Sequence, residues 1–166
     1  LKNPGSKVRD VSQWEYHSIA EAGWIMSIIR RDINRDGIDD IVYSTRREKT
    51  AGIYIAKGIG QSPWLDTPRL LGAAEKEVLF IDIVDLNDDE RLDIAAAIKP
   101  NQVAYLYQSS DFESEWTASW QELNLPKETY GRTKAIRIAD INLDGDKEAV
   151  LTCESADGER SGVYLF

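Results

Sequence analysis

Three nine-residue stretches of this chain carry the residue types from which a metal cage is built. They are 32–40 (DINRDGIDD), 85–93 (DLNDDERLD) and 140–148 (DINLDGDKE). Positions 1, 3, 5 and 9 are Asp32, Asn34, Asp36 and Asp40 in the first, and Asp85, Asn87, Asp89 and Asp93 in the second. In the third they are Asp140, Asn142, Asp144 and Glu148. Oxygens at alternate positions of a tight loop converge on one point. Calcium takes about six to eight oxygens at about 2.3–2.6 Å in a flexible cage. The backbone carbonyls at position 7, of Ile38, Arg91 and Asp146, together with the acid at position 9, would complete such a shell. The expectation is up to three calcium ions, one per loop. Without a cation, three carboxylates in one turn repel, and the chain already carries a net charge of −9.

An EF-hand begins with a similar acidic pattern, but it needs a bidentate Glu at position 12 and a helix on each side. Position 12 is Tyr43, Ala96 and Leu151, and the flanks read as strands. The loops are also unequal. Position 6 calls for a positive φ, which Gly37 and Gly145 supply and Glu90 does not. The first loop is therefore expected to bind calcium most tightly.

Apolar runs position the loops. Ile25–Ile29, Val78–Val84 and Ala135–Ala139 precede them, and Ile41–Tyr43, Ile94–Ile98 and Ala149–Leu151 follow. A third short run comes next: Ile53–Ile55, Val103–Tyr107 and Val163–Phe166. These runs are rich in Val, Ile and Tyr and are bounded by turn residues, which is strand chemistry. The loops start 53 and 55 residues apart (32 to 85, 85 to 140), the size of a four-stranded propeller blade. The predicted fold is all-β: about three antiparallel blades, part of a larger ring.

The motif Asp-x-Asn-x-Asp-Gly-x-x-Asp followed by Ile-Val resembles the FG-GAP/VCBS repeat family, the calcium-loop β-propellers related to the integrin α-subunit head. The likeness runs from about Gly23 to the C-terminus, with Glu90 and Glu148 departing from the pattern. The resemblance implies seven blades in many members, calcium at the first hairpin of each blade, and a secreted, periplasmic or cell-surface location. It says little about activity, because the same scaffold carries many functions.

The expected units are 1–22, the end of a preceding blade; 23–73 and 74–128, two blades; and 129–166, an incomplete blade. Within the first, Leu1–Gly5 reads as a strand tail and Gln13–Ile19 as a fourth strand. The remaining blades of a longer propeller, or a second copy of the chain, would complete the ring. Trp14, Trp64 and Trp120 recur at blade period and are expected to pack between blades, while Trp116 lies outside that register.

The end opposite the acidic loops is the expected ligand face. The residue eight before each loop is Trp24, Glu77 and Arg132; six before are Met26, Leu79 and Lys134. Arg46, Arg47, Lys99 and Asn101 follow the second strands. These positions differ between copies where the scaffold positions agree. Trp24 beside cations suits a sugar bearing a carboxylate or sulfate. The leading expectation is a non-catalytic module binding carbohydrate or an extracellular protein; the alternative is part of a polysaccharide-degrading lyase or hydrolase. No catalytic motif is visible, and the sole histidine, His17, sits on a predicted outer strand. The acidic balance opposes nucleic acid as a partner, and no apolar run approaches the roughly 18 residues of a membrane helix. The sole cysteine, Cys153, lies in an apolar run and reads as a small core residue.

Overall fold

The computed structural model describes residues 4–113, 116–123, 131–156 and 161–166. Each apolar run pairs with the next one along the chain. β1 (Ile25–Arg31), β2 (Asp40–Thr45), β3 (Gly52–Ala56) and β4 (Arg69–Gly72) form one four-stranded sheet in that order. β5 (Val78–Val84), β6 (Asp93–Ile98), β7 (Gln102–Tyr107) and β8 (Thr117–Glu122) form a second. β9 (Arg132–Ala139), β10 (Glu148–Glu154) and β11 (Gly162–Leu165) form a three-stranded third. Every pairing is antiparallel. The fold is all-β, and helical residues in the described chain are confined to single 3-10 turns.

The second sheet lies between the other two, and β6 explains why. Its sequence DIAAAI is buried along its whole length, as expected of a strand covered on both faces. Ile94, Ala96 and Ile98 pack toward the first sheet with Val42, Ile53, Ile55, Val78, Ile81 and Leu106. The alternate residues Ala95 and Ala97 pack toward the third with Leu79, Val103, Ile136 and Leu151. Successive strand side chains point to opposite faces, so one strand serves two cores. Burial of each such Ile or Leu stabilises by about 1.5–3 kcal/mol.

Polar groups join the sheets where first strands run side by side. The Asp82 carboxylate on β5 accepts the backbone N–H of Ile138 on β9 at 2.9 Å. In return the Arg137 guanidinium donates to the Ile81 carbonyl at 2.7 Å. β5 and β9 are the edges of their sheets, and these side chains satisfy backbone groups that no strand pairs. Thr133 donates to the Ile98 carbonyl at 3.0 Å, and Ser44 to that of Leu79.

Gln13–Ile19 joins none of the three sheets; Val11–Gln13 is a 3-10 turn, with Asp10 accepting the Ser12 N–H at 3.1 Å, and Glu15 forms an isolated β-bridge. The segment follows the outer face of the first sheet, where Ile19, Ala20 and Ala22 line a cavity with Tyr43 and Tyr54. Residues 1–3 of the expected strand tail lie outside the described residues, and Gly5–Lys7 is a 3-10 turn. The unit boundary expected after residue 128 also lies outside them.

The tryptophan expectation is corrected in part. Trp120 is 43% exposed, and the Trp14 indole N–H donates to the Val8 carbonyl within the leading segment, while Trp64, 38% exposed, meets the His17 ring of that segment edge-on at 5.3 Å. Trp116, which the period left aside, is the buried one at 5% exposure, in the first core beside Phe112. The chain between β7 and β8 is shorter than that between β3 and β4, so equal spacing in sequence does not give equal places in the sheets.

Candidate functional site

The three acidic loops join β1 to β2, β5 to β6 and β9 to β10, and share one hydrogen-bond scheme. The position 1 carboxylate accepts the N–H groups of positions 5 and 6: Asp32 from Asp36 (3.2 Å) and Gly37 (2.9 Å), Asp85 from Asp89 (3.3 Å) and Glu90 (2.8 Å). Asp140 does the same with Asp144 (3.1 Å) and Gly145 (2.9 Å). The Asn at position 3 donates its amide to the position 5 carboxylate at 2.8–2.9 Å in all three. The position 5 carboxylate in turn accepts the N–H of position 7, from Ile38, Arg91 and Asp146, at 2.9 Å each. Positive φ recurs at position 6, in Gly37, Glu90 and Gly145, as expected. It recurs also at position 4, in Arg35, Asp88 and Leu143, which the residue types did not announce.

Position 9 has a second task. Asp40 is buried, and its two oxygens accept the N–H groups of Ile33 and Gly58 at 2.9 Å each. Asp93 is buried likewise, accepting from Leu86 at 2.9 Å and Gln108 at 2.8 Å. Each ties the start of its loop to the residue leaving the third strand. Burial pushes both carboxyls above the usual carboxylate range; these N–H groups oppose the shift, and neighbouring loop acids add to it. Glu148 reproduces half of the brace, accepting from Ile141 at 2.8 Å.

The carboxylates gather most closely in the second loop. Asp85, Asp89 and Asp93 each bring one carboxylate oxygen within 4.8 Å of the others. Oxygens about 2.3–2.6 Å from a shared calcium can be no more than about 5 Å apart. Among the described residues it is this loop that gathers three acids so closely, whereas glycine at position 6 favoured the first. Arg91 gives a physical reason, since its guanidinium contacts Asp89 and screens the repulsion among the three. Its backbone N–H, with Asn87 and the charges of Arg91 and Arg35, holds the Asp89 carboxyl below the usual range. The loops neighbour one another: Gln108 reaches the Ile33 carbonyl at 3.4 Å, and Lys147 contacts Asp88.

No protein-family model and no curated protein matches this sequence. The residues themselves carry the functional reading.

At the far ends of the same hairpins, positions eight before and fourteen after each loop start face one another. Arg46 donates its backbone N–H to the Trp24 carbonyl, and Lys99 donates to that of Glu77, each at 3.1 Å. Arg132 pairs with Glu154 in the register of β9 and β10. The Arg46 guanidinium lies 4.4 Å over the Trp24 ring, and Lys99 is 3.6 Å from Glu77. Trp24, Arg46, Arg47, Glu77 and Lys99 line a cavity of about 440 Å³. Glu77 and Lys99, with Pro100 and Arg132, line an adjoining one of about 270 Å³. Five of the six expected ligand residues thus come together. Lys134 stands apart, paired with Glu154 at 3.1 Å. The offset of fourteen, shared by Arg46, Lys99 and Glu154, was the sequence signal that would have found Glu154.

Proposed function

We propose that the chain belongs to a calcium-stabilised β-propeller, similar to the FG-GAP/VCBS repeats, and acts as a non-catalytic binding module for carbohydrate or an extracellular protein. Each sheet is read as a blade. Calcium in the acidic loops is structural, and the ligand meets the opposite end. One observation carries the reading: the hydrogen bonds among loop positions 1, 3, 5, 6 and 7 repeat in three copies, while the paired residues at the other end differ in every copy, and those of the first two copies line a cavity. Conserving the scaffold and varying one rim is how a repeated fold makes a binding surface. The module works outside the cytosol, where sites with affinities of about 10⁻⁴–10⁻³ M can fill with calcium.

The test is an array of glycans and extracellular proteins probed with the 166-residue chain. Binding that needs calcium and disappears in Trp24→Ala is the expected result. A folded chain that captures nothing, with or without calcium, would sink the reading.

A further inference from the structure

The two adjoining cavities share Glu77 and Lys99, so they form one trough crossing the starts of β1, β5 and β9. Its lining has a charge opposite to that of the chain. The lining carries Arg46, Arg47, Lys99 and Arg132 with the carboxylate of Glu77, in a molecule of net charge −9, and Glu154, opposite Arg132, is paired with Lys134. The one aromatic, Trp24, is 56% exposed and carries the Arg46 guanidinium at 4.4 Å, which fixes the orientation of both groups. The Nε of Arg46 is buried and has no hydrogen-bond partner among the described residues. The guanidinium is thus held by its ring contact at the trough wall, where an anionic ligand would meet it.

We propose that this trough holds an internal stretch of an anionic polysaccharide. One sugar packs a C–H face on Trp24, and carboxylate or sulfate groups on neighbouring sugars meet Arg47, Lys99 and Arg132 in turn. Arginine takes either anion through paired N–H donors, and a fixed row of cations rewards a polymer over a single sugar. Glu77, at 3.6 Å from Lys99, accepts from sugar hydroxyls between the charged groups. The inference rests on the reading of this end as a carbohydrate-binding face, and it adds charge and chain length to it. A single-stranded nucleic acid is a poorer occupant, because it calls for a row of aromatic faces on which successive bases stack, and among the described residues the lining has Trp24 alone.

The test is calorimetric titration of the 166-residue chain in calcium, at low and high salt. The probes are an oligogalacturonate, a sulfated oligosaccharide, a neutral oligosaccharide of equal length, a charged disaccharide and a single-stranded oligonucleotide. Either charged oligosaccharide should bind at least about tenfold more tightly than the neutral one and the disaccharide, and more weakly as salt rises. The two charged probes distinguish carboxylate from sulfate as the anion. Arg132→Gln and Lys99→Gln should each lose about tenfold, Lys99→Arg should retain binding, and Arg30→Gln at the acidic end should change nothing. If Lys99→Gln does not fold, the exposed Arg132 carries the test. Equal affinity for the neutral oligosaccharide overturns the anionic inference and leaves the binding module standing. Failure to bind any saccharide overturns the inference and the carbohydrate reading, leaving an extracellular protein as the ligand of the module, and preference for the oligonucleotide overturns the ligand class.

Discussion

Asp93 and Gln108 lie fifteen positions apart in sequence, and the carboxylate of the first accepts the backbone N–H of the second at 2.8 Å, inside the protein. Asp40 holds Gly58 in the same way. Removing either carboxylate strands two backbone donors, each of which costs about 1–3 kcal/mol when buried and unpaired. Asp40→Ala and Asp93→Ala should therefore each destabilise by about 2–4 kcal/mol in urea denaturation with excess chelator. Glu148→Ala, which releases one backbone donor at a less buried place, should cost about 1 kcal/mol. Equal losses at all three positions would show that the brace is not what these acids contribute.

Glu90 holds φ +67° where the other loops have glycine. A side chain in the left-handed region costs about 1 kcal/mol. Glu90→Gly should raise stability by about 0.5–1 kcal/mol, read as an upward shift in Tm. A fall in Tm would mean that the Glu90 side chain outweighs its backbone strain.

Calcium should raise Tm and excess chelator should lower it, because an ion bound only by the folded chain stabilises by about 2.7 kcal/mol at a hundred times its Kd. Arg91→Ala should widen the difference, since the guanidinium no longer shares Asp89 with the ion. A Tm indifferent to chelator would remove calcium from the account. A wild-type response matched by Arg91→Ala would remove the competition.

Trp116→Ala should destabilise by about 3–5 kcal/mol, the cost of emptying a large core site. Trp14→Ala, Trp64→Ala and Trp120→Ala should each cost less than half as much in the same denaturation series.

Burial pushes the Cys153 thiol above its ordinary range. Only the thiolate attacks a disulfide reagent, so at pH 8 the native chain should react far more slowly than the chain in urea. Equal rates would place this sulfur at the surface.

The strand runs were legible because each is a short apolar segment ended by a turn or an acidic loop. Val78–Val84 was bounded as the structure has it, and Ile94–Ile98 was short of its β6 by Asp93 alone. Asp93 was read as a ligand position, and nothing in its residue type says that it is also the first buried residue of a strand. The brace needs the partner Gln108, which only the folded sheet brings near. Tryptophan misled because the loop between β7 and β8 has its own length. The facing pairs Trp24–Arg46 and Glu77–Lys99 were half visible: the first member of each came from its offset, the second from its place in a turn.

The acidic loops and the cationic trough stand at opposite ends of the same strands, separated by about 20 Å for a seven-residue strand. Charges of opposite sign held that far apart make the molecule an electric dipole aligned with its strands. Near a negatively charged wall or gel, the field turns such a body before contact, so that the trough leads and the acidic end trails. Under the proposed role of the trough, the same hairpins that set the two ends apart would favour encounters that present the ligand end.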